Sequence, residues 1–286
     1  MRQADHPPVQ TPQTQSIHEQ GTGVMNEDAL LISGNLFGVF DGATSLDKTT
    51  FAHGETGGYL AATIAEEMFH SNDASLFELA DKANTAILRE MVSKGVDVKK
   101  KEHLWSTSAA VGRVEDGMFD WVQSGDSLIL VIYEDHTHEL LVQDFDHDLE
   151  TLKLWKETAA TRSGSILDEL NVQIRKVRAG MNITYGVING EETALDFLNH
   201  GSLNLTGVAH ILMFTDGLFI PREDPEAESN FKELVSLYLA GGLEGVRDHV
   251  RSLEKTDPGC RKYPRFKSHD DIAAIALSFP ASRLAA

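Results

Sequence analysis

The chain has 286 residues, and its 44 Asp and Glu outnumber its 25 Lys and Arg to give a formal net charge of −19 at pH 7. Proteins that bind nucleic acids or anionic membranes need clustered Lys and Arg, so this balance argues against both kinds of partner. No stretch of about eighteen apolar residues predicts a membrane-spanning helix. The length allows one large α/β domain or two smaller ones.

The cysteine content and the N-terminal residues predict the cellular compartment of the protein. Cys260 is the only cysteine, which excludes internal disulfides and thiolate metal clusters and is typical of a reducing compartment. Residues 1–15 lack the apolar segment of a secretory signal, and we interpret them as a flexible leader. We therefore expect a cytoplasmic protein.

Residues 26–42, NEDALLISGNLFGVFDG, predict a β-hairpin with acidic residues at one end. Such a hairpin returns Asp41 towards Glu27 and Asp28. Three gathered carboxylates repel one another, and a divalent cation with oxygen ligands would neutralise them. Gly42 fits this hypothesis because a residue without Cβ lets its carbonyl approach an ion. The alternative, that NED is a polar strand end and DG an ordinary turn, stays open.

The rest of the chain predicts helices and strands in blocks. Helical periodicity covers residues 55–70 and 75–94, and four strands joined by short turns follow from 106 to about 142 as an antiparallel meander. Helical period returns over 146–178, with a break near 162–165, and residues 180–207 suggest a strand and a short helical turn. A strand at 208–216, helices at 227–240 and 243–253, and a strand at 269–279 complete the chain. This order predicts antiparallel sheets covered by helices.

Four acidic sites lie at the ends of predicted strands: Glu27-Asp28, Asp41-Gly42, Asp216-Gly217 and Asp270-Asp271. If these strands are neighbours, the carboxylates converge on one rim. An oxygen-rich set without His or Cys favours Mg²⁺ or Mn²⁺. Two ions bridged by one carboxylate would lower the pKa of a shared water and clamp a phosphoryl oxygen, so the pattern predicts hydrolysis without a covalent enzyme intermediate.

Six motifs resemble, in order and approximate spacing, those of the metal-dependent protein phosphatases of type 2C: NEDA, FGVFDG, STSAAV, QSGDSL, ILMFTDGL and HDDIAAIAL. The resemblance runs from about Gly21 to Phe279. It implies an α+β fold, a four-layer α/β/β/α sandwich of two antiparallel sheets flanked by helices, formed by a single domain over residues 16–286. It also implies a monomeric serine/threonine protein phosphatase that acts in signalling and uses a metal-bridging hydroxide as nucleophile.

The resemblance also assigns roles to individual residues. Asp41 would bridge two Mg²⁺ or Mn²⁺ ions, with the Gly42 carbonyl on the second ion, while Asp216 and Asp270 would bind the first. These three aspartates would act in catalysis through metal-bound water. The other members of the predicted metal site are Glu27 and Asp28, which would act through water, and Asp126, which in bacterial members helps to hold a third ion. Asp271 would support the site.

Two positions depart from the family pattern. Gly23 stands where an arginine normally binds the substrate phosphate, a contact whose loss would weaken binding by about 1.5 to 3 kcal/mol. Ala43 stands where eukaryotic members have a histidine proposed as the general acid, so activated aryl phosphates should be favoured substrates. Candidates to replace the arginine lie in the segment from about 161 to 202, although a solvated helix face explains them as well: Arg162, Arg175, Lys176 and Arg178.

Alternative functions remain at this point. A non-catalytic module of the same fold that binds metal or phosphoproteins is one, and a phosphatase for a small phosphomonoester is another. His136, His138 and His147 lie among aspartates and admit a zinc or nickel site, but their spacing matches no helix-face or finger pattern, and a polar loop explains them better. His53 is the histidine nearest to the DG loop and a candidate for proton transfer or for loop capping.

Overall fold

Over the residues that the structure describes, the strands form two five-stranded sheets in which every neighbouring pair is antiparallel. The structure is a computed structural model and describes residues 12–44, 46 and 49–280. In chain order the strands are β1 (Gln13–Glu19), β2 (Asp28–Ser33), β3 (Leu36–Gly42), β4 (Thr107–Glu115), β5 (Met118–Ser124), β6 (Leu128–Tyr133), β7 (His138–Leu140), β8 (Asn199–Asn204), β9 (Val208–Phe214) and β10 (Ile272–Ser278). The first sheet has the order β1-β10-β9-β6-β7 and the second β2-β3-β4-β5-β8.

The helices lie outside the two sheets and beside one end of them. They are α1 (Gly57–His70), α2 (Leu76–Ser93), α3 (Leu149–Thr158), α4 (Ile166–Glu169), α5 (Asn171–Arg178) and α6 (Phe231–Lys255). Helix α1 begins after Thr56, whose hydroxyl accepts a hydrogen bond from the Tyr59 N–H, and α2 begins with a capping box between Ser75 and Glu78. Helix α6 changes direction at Gly242, whose φ is 66°.

The central strands are apolar on both faces because each face contacts a different layer. In β3, Phe37 and Val39 pack into the core between the sheets, whereas Leu36 and Phe40 pack against α1 and α2. The alternation follows from the two-residue period of a strand. Helix α6 covers the outer face of the first sheet. The layers are therefore α/β/β/α, which confirms the predicted fold.

The predicted hairpin of residues 26–42 is confirmed as β2 and β3, and Asp28 lies directly opposite Asp41. The predicted four-stranded meander is wrong. Strands β4 and β5 belong to the second sheet, but β6 and β7 belong to the first, and the turn at Gly125 carries the chain between them. Alternating hydrophobicity identifies a strand, yet it does not reveal which sheet supplies its neighbours.

Other boundaries also differ from the sequence prediction. The expected break between helices at 227–240 and 243–253 is confirmed, because the backbone of α6 is non-helical at Gly242, but the helical segment before it begins at Phe231 and not at 227. Strand β8 was not distinguished because most of its side chains are exposed. Strand β1 begins at Gln13 and pairs with β10, so residues 13–15 of the expected leader are part of a sheet, while residues 1–11 lie outside the described residues. Within the described part of the chain, no helix is both long and apolar enough to cross a membrane.

Candidate metal centre

The acidic sites of the sequence meet at one end of the sandwich because five strands begin or end there. Asp41 lies at the end of β3, and Asp28 begins β2 directly opposite it. In the other sheet, Asp216 follows β9, and Asp270 and Asp271 precede β10, its hydrogen-bonded neighbour. Asp126 lies in the turn before β6, whose first residue pairs with the last residue of β9. The site therefore draws carboxylates from both sheets.

Three of these carboxylates are shifted strongly towards their protonated form. Burial raises the pKa of Asp41 well above its ordinary value, and the nearby charges of Asp28 and Asp126 add to the shift. Burial also raises the pKa of Asp216, with Asp41 as the largest neighbouring charge. The pKa of Asp28 is raised by burial as well, although a hydrogen bond from a threonine opposes the effect. Such mutual repulsion is relieved either by protonation or by positive charge nearby.

Hydroxyl groups hold two of the acidic side chains in place. Glu27 is only 4% exposed, and its carboxylate accepts hydrogen bonds from Thr44 Oγ1 at 2.5 Å and Thr56 Oγ1 at 2.6 Å. Asp28 accepts one from Thr215 Oγ1 at 2.7 Å. Among the described residues, no hydrogen-bond donor reaches the carboxylate of Asp41 or Asp216. These two side chains therefore keep all their oxygen lone pairs for a cation.

Glycines allow the backbone segments of the site to approach closely. A Cβ on Gly42 would lie 2.2 Å from the Gly58 carbonyl oxygen, and one on Gly217 would lie 1.8 Å from the Asp271 carbonyl oxygen. The Gly42 N–H donates to the Glu27 carbonyl at 3.1 Å. The glycines of the two Asp-Gly pairs thus allow close packing of the backbone.

Asp271 has a structural role in the site. Its side chain is 2% exposed, and its two carboxylate oxygens accept the backbone N–H groups of Gly21 at 2.7 Å and Glu27 at 3.0 Å. These bonds fix the segment that leads into β2 against the start of β10. The arrangement agrees with the supporting role expected for Asp271.

Lys267 is a member of the site that the sequence analysis missed. Its Nζ lies 2.7 Å from Asp270 Oδ1, 3.6 Å from Asp271 Oδ2 and 3.7 Å from Glu27 Oε2. Burial alone would lower the pKa of Lys267, but the charges of Asp270, Glu27 and Asp271 raise it well above its usual range. The signal in the sequence was a lysine three residues before an Asp-Asp pair.

The donor set fits a hard divalent cation, since it consists of carboxylates without competing sulfur ligands. As the side chains are placed, however, no three His, Cys, Asp or Glu of the described residues stand together at metal-ligand spacing. Lys267 lies between Glu27 and Asp270 and supplies part of the positive charge that the cluster requires. A cation that binds both carboxylates must therefore compete with this ammonium group.

A cavity of about 130 Å³ opens beside Asp41. Its wall includes Gly42, Asp126, Asp216 and Asp270, together with His147, Asp148, Arg178, Tyr185 and Lys267. The His147 ring stacks on Tyr185 with 4.1 Å between ring centroids, and its Nδ1 lies 3.9 Å from Asp126 Oδ2. A second cavity of about 150 Å³ shares Asp126, Asp216 and Asp270 with the first. Its wall combines the apolar side chains of Leu152, Phe219, Ile220 and Phe231 with charged ones that include Asp146, Arg222 and Arg265.

The structure also locates the secondary candidates of the sequence. Of the four basic residues considered as replacements for the arginine at position 23, only Arg178 lines the cavity beside Asp41. His53 is exposed and lines neither cavity, which disfavours a role in proton transfer. His136 and His138 lie at the β6–β7 hairpin, whereas His147 lies at the acidic cluster, so the three histidines do not form a common site.

Comparisons with known proteins agree with this fold. The protein phosphatase 2C family model matches residues 18–253. The crystal structure of a bacterial serine phosphatase superposes with a TM-score of 0.59 over 96% of this chain and 100% of its own, at 17% identity. The serine/threonine phosphatase Stp1 from Staphylococcus aureus gives 0.59 over 95% and 96% of the two chains, at 16% identity.

A third similar structure contains metal. The catalytic domain of the serine threonine protein phosphatase PstP, in complex with two manganese ions, superposes with a TM-score of 0.55 over 94% of this chain and 98% of its own, at 13% identity. A search of curated proteins found no sequence match. Since the family model covers most of the chain, the protein belongs to the protein phosphatase 2C family and is a hydrolase of that type.

Proposed function

We propose that the protein is a Mg²⁺- or Mn²⁺-dependent phosphomonoester hydrolase that removes phosphate from phosphoserine or phosphothreonine in proteins. The observation that carries the proposal is the pair Asp41 and Asp216. They lie at the ends of strands in different sheets, and neither accepts a hydrogen bond from a described residue. Burial raises the pKa of both, the charges of Asp28 and Asp126 add to the shift of Asp41, and the charge of Asp41 adds to the shift of Asp216. Carboxylates in this condition are suited to bind a divalent cation.

In this proposal, the acidic residues of the site have different roles. Asp41, Asp216 and Asp270 would hold two ions, and the Gly42 carbonyl would be a further ligand of the second. Asp126 would help to hold a third ion. Glu27 and Asp28, fixed by threonine hydroxyls, would orient water around them. When bound, Mg²⁺ or Mn²⁺ offsets the negative charge of a phosphoryl group and makes water more acidic. The manganese pair in the similar PstP structure supports this choice of ions.

We infer further that residues 16–286 act as a single, monomeric domain and that the protein works in the cytoplasm in phosphorylation-based signalling. The family match over residues 18–253 and the lone, buried Cys260 support this inference. The substrate would be a phosphorylated protein, with neither nucleic acid nor membrane as partner.

The test is phosphate release from a phosphoserine peptide and from p-nitrophenyl phosphate, with Mn²⁺ and with an excess of chelator. We expect hydrolysis that requires the metal and falls to background in Asp216→Ala and in Asp41→Ala, because each variant removes a ligand from the centre. Asp81→Ala on the exposed face of α2 is the matched control and should retain full activity. Circular dichroism should show that all three variants are folded.

Two results would contradict the proposal. Full activity of folded Asp216→Ala would show that the assigned residues are not the catalytic site. Hydrolysis of a small phosphomonoester without turnover of any phosphopeptide would show that the substrate is a metabolite and not a protein.

A further inference from the structure

The cavity beside Asp41 has an unusual balance of charge for a site that receives a phosphate. Five aspartates line it: Asp41, Asp126, Asp148, Asp216 and Asp270. A phosphomonoester at neutral pH is itself a dianion, so carboxylates in the wall repel it. Apart from bound metal ions, the strongly basic groups that the described residues contribute to the cavity wall are Arg178 and Lys267.

Lys267 is already engaged by the carboxylates. Its ammonium group has three N–H donors, and three carboxylates lie within 4 Å of it, with Asp270 at 2.7 Å. Moving Lys267 towards a phosphate would separate it from these buried partners. It is therefore better placed to balance the acidic cluster than to bind a substrate.

Arg178 is in a different situation. Its Nη2 donates to the Thr44 carbonyl at 2.6 Å, and within the described ranges no carboxylate oxygen lies within 4.0 Å of its guanidinium nitrogens. Since a guanidinium carries five N–H donors, most of them are available. Burial raises the pKa of Asp148 and of Tyr185, and the charge of Arg178 partly offsets both shifts, which agrees with its position at the same wall.

The other basic residues of the same segment are directed elsewhere. Arg162 pairs with Glu169 at 2.8 Å, and Arg175 Nε donates to Asn171 Oδ1 at 2.8 Å. Neither of them, nor Lys176, lines the cavity. Arg178 is the last residue of α5, and its bond to Thr44 joins that helix to the segment just after Asp41 and Gly42. It also borders a neighbouring pocket that contains Phe51 and Trp105.

We propose that Arg178 binds the phosphate group of the substrate. The inference rests on the proposed phosphatase function and names the side chain that recognises the phosphomonoester dianion. A guanidinium forms paired, charge-assisted hydrogen bonds with phosphate oxygens. The bond to Thr44 orients the side chain, so little conformational freedom is lost when phosphate binds.

The experiment compares Arg178→Met, Arg178→Lys and the matched control Arg175→Met in the full chain with saturating Mn²⁺. The readouts are KM and kcat for a phosphoserine peptide, inhibition by inorganic phosphate, and the melting temperature. For Arg178→Met we expect KM and the inhibition constant for phosphate to rise by about 10- to 100-fold, with a smaller change in kcat. Arg178→Lys should be intermediate because it keeps the charge and loses the paired geometry. Arg175→Met should resemble the wild type.

Unchanged KM and phosphate inhibition in Arg178→Met, with a lower melting temperature, would overturn the inference and leave Arg178 as a link between α5 and Thr44. If the wild type releases no phosphate, the proposed function fails, and calorimetry with inorganic phosphate still decides the role of Arg178. Weaker phosphate binding by manganese-loaded Arg178→Met than by wild type would support the role, and equal binding would overturn it.

Discussion

Individual carboxylates at the candidate metal centre differ in what stabilises them. Glu27 and Asp28 receive hydrogen bonds from threonine hydroxyls, and Asp271 receives them from backbone N–H groups. Asp41 and Asp216 receive none from the described residues and carry strongly raised pKa values. This difference supports the proposal that the first three orient the site and that the last two bind metal directly.

Lys267 leads to a prediction about the metal-free protein. Lys267→Met removes the ammonium group that Glu27, Asp270 and Asp271 share, so the free energy of unfolding without metal should fall by about 1–3 kcal/mol. The variant should also bind Mn²⁺ more tightly, because the ion no longer competes with a lysine. Thermal unfolding in chelator and calorimetric titration with Mn²⁺ measure the two effects.

The matched control for this change is Lys82→Met. Lys82 also lies 2.8 Å from an aspartate, Asp73, but both side chains are largely exposed, so stability and manganese affinity should change little. Equal effects of the two variants would contradict a special role for Lys267.

At the level of secondary-structure elements, helix α1 can contact the end of β3 only because Gly58 has no side chain. A Cβ on Gly58 would lie 2.7 Å from the Ala43 carbonyl oxygen, although Ala is otherwise the better helix former. We expect Gly58→Ala to destabilise the protein by about 1–3 kcal/mol, because the clash outweighs the gain in helix propensity. The midpoint of urea unfolding, measured with chelator, checks this.

Gly241→Ala is the control because Gly241 also lies in a helix, α6, and a Cβ there meets nothing within 4 Å. It should be neutral or stabilise the protein by up to about 1 kcal/mol. If both variants change stability in the same direction, the close approach of α1 to β3 does not explain the effect of Gly58→Ala.

Local sequence patterns were sufficient to predict the β2–β3 hairpin, but they were insufficient to predict which strands share a sheet. The β2–β3 register follows from two apolar runs around the turn at Ser33-Gly34-Asn35, all within one short segment. The assignment of β6 to the first sheet depends on its pairing with β9, about eighty residues later in the chain. Strands β1 and β8 also pair with distant partners, and periodicity carries no information about such partners.

For the whole molecule, the acidic centre predicts an unusual pH dependence of stability without metal. Burial, as the largest cause, raises the folded pKa values of Asp28, Asp41 and Asp216 above the ordinary carboxyl value near 4. Above that value the folded protein holds more protons at these sites than the unfolded chain, so stability falls as pH rises towards the folded pKa values.

The measurement is thermal unfolding in chelator between about pH 5 and pH 8. The metal-free protein should be more stable at the lower pH, and Mn²⁺ should weaken the dependence by neutralising the carboxylates. Carboxyl groups with lowered pKa values, such as Glu19 and Asp257, act in the opposite direction, but mainly below about pH 5. Asp216→Asn removes one titrating group and should flatten the profile. Stability that rises from pH 5 to pH 8 without metal would contradict this account.

By itself the sequence determined the alternation of buried strands, the β2–β3 hairpin and the acidic residues at strand ends, because each depends on neighbours within a few residues. Its six ordered motifs also indicated the family that the comparison then established. Only the tertiary structure decided how the strands divide between two sheets. It also placed Lys267 among the carboxylates and singled out Arg178 from four basic residues. The pairing of β6 with β9 joins segments about eighty residues apart, and the contacts of Lys267 with Glu27 and of Arg178 with Thr44 join segments more than a hundred residues apart. Such contacts exist only once the chain has folded.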